Sequence, residues 1–232
     1  MNNRLLHTQL NSHSTSRAPL QSRRLLRLMA LALAWPLLAS AGPVDDAVAD
    51  VQRDWEVIRY QTPAAERVKK LEALSLKAHE VTLAHAGRSE PLVWEGIVLS
   101  SLAGEKGGLG ALGLVKQAKG MYEQAIQIDG QVLDGSAYGS LGVLYYKVPG
   151  WPIGFGDKAR ADDMLRRALA ISPQGVDANF FYGEFLVETK KEPEAVAYLE
   201  RAMAAPPRPG RQVADAGRKE EARALLARIK AN

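Results

Sequence analysis

Apolar residues recur along this chain at spacings of three and four, the period of a helix that buries one face. Val48, Val51, Trp55 and Ile58 open the series, and Val68, Leu71, Leu74, Ala78 and Val81 continue it. Between them, Thr62 and Pro63 read as an N-cap followed by a first-turn proline. Leu92, Gly96 and Leu99 begin a second pair of helices, completed by Ala118, Tyr122, Ala125 and Gly130. From Tyr138 onward the pattern is strictest. Tyr138, Leu141, Gly142 and Tyr145 precede Ala161, Leu165, Ala168 and Pro173; Asn179, Tyr182, Gly183 and Leu186 precede Ala195, Leu199, Ala202 and Pro207. The second half of each set recurs at a constant step of 34. Gly142 and Gly183 are expected where two helices cross closely, and Pro173 and Pro207 where the second helix of a pair must stop. A final helix from about residue 215 to 231 carries Ala222, Leu225, Leu226 and Ile229 on one face. Its other face, with Arg218, Lys219, Glu220, Glu221, Arg223 and Arg228, is expected in solvent. The sequence therefore predicts an all-α fold.

The 34-residue step, with aromatic-x2-Leu-Gly-x2-Tyr in its first half and Ala, Leu, Ala and Pro in its second, resembles the tetratricopeptide repeat (TPR). The resemblance implies a TPR-like array of helical hairpins, an α-solenoid in which neither helix of a unit buries its apolar face alone. On that reading residues 44–87 are an N-terminal helix pair. Residues 91–132 are a unit with a Gly-rich insertion, and 135–175 a unit with a Pro/Trp insertion. Residues 176–209 are an intact unit, and 214–232 a C-terminal capping helix. TPR arrays are similar in using the first helix of each unit to line a groove for peptides or proteins. By register, that surface here is Val93, Ile97 and Ser100, then Gly139, Val143, Tyr146 and Lys147, then Asp177, Phe180, Glu184 and Glu188. Tyr146, Lys147, Asp177, Phe180, Glu184 and Glu188 are the candidate partner contacts, since aromatic and charged groups often dominate binding.

Both insertions bear on function. The first, from Gly104 to Gly113, reads as a flexible loop between helices. It contains G-x-G-x-x-G at Gly108, Gly110 and Gly113, and Asp134 lies 21 residues further on. A dinucleotide fold needs a strand on each side of that motif, and the flanking pattern is helical, so no cofactor is expected. The second insertion, Val148 to Gly156, is rich in Pro and Gly yet carries Trp151 and Phe155. These two either fold back over the core or form the lip of a ligand or partner groove. Asp157 is placed to cap the helix that follows. This loop and helix look similar to exported repeat proteins of the TatT type, which work beside the solute-binding protein of tripartite (TRAP) transporters. Members of that family are commonly lipoproteins, and this chain has no Cys to carry a lipid.

Residues 1–41 are of another kind. They hold five Arg and no acid, an apolar run from Leu28 to Leu38, and Ala39-Ser40-Ala41. That is the layout of a cleavable signal peptide, with an apolar run too short for a span of about 20 residues. Ser22-Arg23-Arg24 leaves twin-arginine export open beside the general route. The whole chain is +4, from 30 basic and 26 acidic residues. Without the five leader arginines, 25 basic residues face 26 acidic ones, a net of −1, which argues against nucleic-acid binding. A periplasmic protein with no disulfide, no lipid anchor and no stable membrane span after cleavage is expected. His79 and His85, six residues apart, point about 240° apart on a helix and do not converge on a metal. With no nucleophile motif and no metal spacing, the expectation is a non-enzymatic module holding a protein or peptide of the cell envelope in the groove. The alternative is a small-ligand carrier or TatT-like transporter accessory, working with a solute-binding protein and with a pocket beneath the Trp151 loop.

Overall fold

The computed structural model describes residues 43–108 and 110–231; residues 1–41, where a signal peptide is expected, lie outside them. Among the described residues the chain is all-helical, with no strand. The helices are α1 (Pro43–Gln61), α2 (Ala64–Ala84), α3 (Ser89–Lys106), α4 (Gly110–Asp129), α5 (Val132–Lys147), α6 (Lys158–Ile171), α7 (Val176–Glu188), α8 (Glu192–Ala204) and α9 (Gln212–Ala231).

Neighbours pack as antiparallel hairpins, and small residues set how closely they approach. A methyl group at Gly96 would sit 2.5 Å from the Tyr122 ring, one at Gly142 2.7 Å from Leu165, and one at Gly183 2.8 Å from Leu199. The facing residues Ala118, Tyr122, Ala161, Leu165, Ala195 and Leu199 are completely buried. Each hairpin thus buries a large side chain against bare backbone, where a Cβ would force the helices apart.

The odd-numbered helices do something more. α1 touches α3, α3 touches α5, α5 touches α7 and α7 touches α9, and α9 returns to α1. The even-numbered helices touch only the odd ones beside them. Five helices therefore form a closed inner cycle, with α2, α4, α6 and α8 outside it. α5 and α7 run parallel, because Gly139 meets Phe181 while Tyr146 meets Phe185 further along both helices. The join between α1 and α9 is tight: a Cβ on Gly217 would lie 2.2 Å from the Tyr60 ring.

Several local expectations need correction. The Gly-rich stretch is mostly not a loop: Gly104 lies within α3, and Gly110 and Gly113 lie within α4. No other residue comes within 4 Å of a Cβ at any of these three, so they cost helix propensity but permit helix. Thr62 does not cap α2; its hydroxyl donates to the Val57 carbonyl instead, and α2 has no side-chain cap. The last helix starts at Gln212, a turn earlier than its pattern indicates. The start of α5 holds three successive left-handed residues, Leu133, Asp134 and Gly135, with φ of 51°, 57° and 73°. Only Gly takes that conformation without strain.

Asp157 does cap α6, its Oδ1 accepting from the backbone N–H of Ala159 (2.9 Å) and Arg160 (3.1 Å). Asp157→Ala is expected to lower stability by about 1 kcal/mol. Asp157→Asn should recover most of that, because the amide oxygen still accepts. Urea midpoints of the three proteins check it, and equal midpoints would mean the cap carries no stability.

Candidate functional site

The closed cycle surrounds a cavity of about 1580 Å³, lined by residues of all five inner helices. On α5 the lining runs from Leu133 to Lys147, and on α7 from Val176 to Glu188, so the cavity follows both helices from end to end. At 1.5 Å per residue, the thirteen residues of α7 give it a length of about 20 Å. Its wall includes apolar Ile97, Val143, Phe180, Phe181 and Leu225.

Of the six candidate partner contacts, Lys147, Asp177, Phe180, Glu184 and Glu188 line this cavity, as do Ile97, Ser100, Gly139 and Val143 among the other register positions. Phe180 is not presented to solvent, however. It is only 5 % exposed, and the Arg218 guanidinium lies 4.6 Å from its ring centre. Tyr146 is not in the lining but supports it: its hydroxyl donates to Glu184 Oε2 at 2.5 Å. Lys147 Nζ donates to Glu184 Oε1 and Glu188 Oε1, both at 3.0 Å. Burial, reinforced by the Glu184 carboxylate, raises the Tyr146 hydroxyl well above its ordinary value, so it remains a donor. Burial alone would lower the Lys147 ammonium, but Glu184 and Glu188 outweigh it and hold the pKa above the usual lysine value.

The Trp151 loop divides. Phe155 packs edge-on against Tyr145 with ring centres 5.9 Å apart, and Lys119 lies 5.8 Å from its centre. Trp151 is 90 % exposed. Neither lines the cavity; Val148, Pro149 and Ile153 do. A pocket directly beneath Trp151 is thus replaced by a central cavity whose edge this loop reaches.

A second charged cluster was not legible in the sequence. Asp177 Oδ1 accepts from Arg218 and Oδ2 from Arg208, both at 2.9 Å. Arg208 also donates to Asp215, Arg218 to Glu221, and Arg59 of α1 to the same Glu221. Arg211 forms a 2.9 Å ion pair with buried Glu56 and lies over the Trp94 ring. Burial would raise the Asp177 carboxyl, but Arg218 and then Arg208 outweigh it and hold the pKa at about 2. Arg208 and Arg211 come from the proline-rich stretch that joins α8 to α9. Arg218 comes from the α9 face expected in solvent, yet it is nearly buried. The missed signal is the spacing of Ala214, Arg218, Glu221, Leu225 and Arg228, a second inward stripe at steps of four and three.

Six carboxylates line the cavity, and five of them, Glu105, Asp177, Glu184, Glu188 and Glu221, are paired with Lys or Arg, while the sixth, Asp134, forms no ion pair among the described residues. Tyr60 Oη and Trp94 Nε1, on two residues of the lining, are buried without a hydrogen-bond partner. Among the described residues no group of three or more His, Cys, Asp and Glu could hold a metal ion. His79 instead meets buried Glu95, Nδ1 to Oε1 at 2.8 Å. No protein-family model matches the chain, and no curated protein matches it in sequence.

Proposed function

We propose that this protein is an exported, non-catalytic carrier that holds a small, elongated, amphipathic ligand in its central cavity. On this reading the hairpins are TPR-like units, their first helices face inward, and residues 1–41 direct the chain to the periplasm. The observation that carries the proposal is the closed cycle of α1, α3, α5, α7 and α9 around a cavity of about 1580 Å³. Ligand pockets typically hold roughly 300–1,000 Å³, so this volume suits a long molecule. A folded protein partner would gain most from an exposed Phe180, which is only 5 % exposed, so a small ligand is the better-supported occupant. The TatT-like reading, a transporter accessory acting beside a solute-binding protein, is compatible with such a carrier. The non-catalytic reading is supported by the ion pairing of five of the six cavity carboxylates, all but Asp134.

Val143 faces the cavity from α5 and is half-buried. Val143→Trp should fill part of the space without touching a hairpin crossing. Native mass spectrometry of the protein from an exporting host should show a bound small molecule on the wild type that is absent from the variant. The apolar anion anilinonaphthalene sulfonate, added to stripped protein, should bind the variant at least tenfold more weakly, with thermal midpoints within a few degrees. Equal binding of the dye by both proteins, with no retained molecule on either, would overturn the proposal.

A further inference from the structure

We propose that the loop Val148–Gly156 is a membrane-contact tip that sets Trp151 and Ile153 into the interfacial layer of an anionic bilayer. The proposal goes beyond the carrier reading and does not depend on it.

The loop is braced rather than slack. The Gly156 N–H donates to the Pro149 carbonyl at 2.9 Å, the Gly154 N–H to Gly150 at 3.1 Å, and the Asp157 N–H to Tyr145 at 2.8 Å. A Cβ on Gly156 would lie 2.0 Å from the Val148 carbonyl oxygen, and one on Gly154 2.5 Å from the Pro149 oxygen, so glycine is required at both positions. Phe155 anchors the base against Tyr145. The same scaffold that half-buries Phe155 leaves Trp151 90 % and Ile153 58 % exposed, with Pro152 exposed between them. Ordering such a tip beforehand removes the entropy cost of arranging it on contact.

Area and charge point to a bilayer as the occupant. Trp151, Pro152 and Ile153 offer on the order of 300–400 Å² of apolar surface, about half of the ~800 Å² that each partner buries in a stable protein interface. A bilayer needs no such area or matching concavity, and tryptophan favours its interfacial layer. The first turn of α6 follows the loop directly and supplies exposed Lys158 and Arg160, against Asp157, which is held by its cap bonds and by Arg160. That balance is net positive and favours anionic headgroups. Among the described residues no helix is long and apolar enough to cross a membrane, so the contact is peripheral. Because Ile153 also lines the cavity, the tip would bring the cavity edge to the membrane surface.

The test uses the processed protein recovered after export, its N-terminus verified. Vesicles of phosphatidylcholine with and without phosphatidylglycerol are the probe. Trp55 and Trp94 are buried, so Trp151 reports the change. Phosphatidylglycerol vesicles should shift its emission to the blue and co-sediment the protein. Trp151→Ser/Ile153→Ser should reduce partitioning at least tenfold, and Lys158→Gln/Arg160→Gln should reduce it severalfold, with unchanged helical circular dichroism in both. Wild-type protein that ignores both vesicle types, or a serine double variant that partitions as well as wild type, would overturn the proposal. So would a concentration-dependent dimer lost in that variant without vesicle binding, which would assign the tip to a second copy of the chain. Dye binding in the cavity is measured without vesicles, so this failure is separable from failure of the carrier reading.

Discussion

Asp177→Asn is expected to cost roughly 2–3 kcal/mol of stability, below the ~3–5 kcal/mol for breaking a fully buried ion pair because Asp177 is only partly buried. The carboxylate is shared by Arg218 and Arg208, and removing its charge leaves Arg208 near Arg211 with Asp215 as its remaining anion. Arg218 keeps Glu221 but loses the partner that ties α9 to α7. The pH dependence follows from the depressed pKa. The Asp177 carboxyl titrates at about 2 in the folded chain, against 3.8 ordinarily. Its contribution, roughly 2 kcal/mol, is therefore complete above about 4 and is lost as pH falls through about 2. Urea midpoints measured from neutral pH downward should fall over that window in the wild type, and the variant should show a flatter acid limb from a lower starting point. A variant with the wild-type acid limb would remove Asp177 as the group responsible.

Gly217→Val should open the inner cycle. Its Cβ would stand 2.2 Å from Cδ1 of Tyr60, whose ring meets Trp55 edge-on with Arg59 5.7 Å from its centre. Neither ring nor guanidinium can retreat freely, so α9 must move off α1. Overpacking of this kind costs about 1–3 kcal/mol. The larger consequence is for binding: with the cycle open the cavity loses one wall, and dye affinity should fall at least tenfold. Tyr60→Ala in the same chain creates room for the valine and should restore part of both losses, a non-additivity expected for residues in contact. Small-angle scattering should register the opening as a larger radius of gyration in Gly217→Val alone. Unchanged dimensions and dye affinity would mean that α9 can repack without releasing α1.

The hairpins were legible because their determinants lie close together in sequence. Gly142 faces Leu165 and Gly183 faces Leu199, each pair within a single helix–turn–helix, and glycine against leucine at helical spacing has few other uses. The Asp157 cap was legible for the same reason. Charged residues on amphipathic helices were not. Arg218 and Glu221 look like any solvated face until α1 and α7 are brought against α9, and Arg208 looks like a linker residue until Asp177 and Asp215 stand on either side of it. Glycine-rich sequence was misleading in the opposite direction: Gly104, Gly110 and Gly113 read as loop, but α3 and α4 extend through them because their long packed faces outweigh a propensity cost of about 1 kcal/mol each.

By itself, then, the sequence determined that this chain is helical, where most helices lie, which small residues sit at the crossings, and that Phe155 and Trp151 belong to a loop that cannot be helix. These follow from periodicity and backbone chemistry, which act over a few residues. Tertiary structure decided that α9 returns to α1, that the inner helices surround a cavity, that Arg218 turns inward, and that Phe155 is partly covered while Trp151 is not. Each of these depends on the angle between successive hairpins. That angle accumulates from contacts such as Gly139 with Phe181 and Gly217 with Tyr60, pairs 42 and 157 residues apart, which no local pattern encodes.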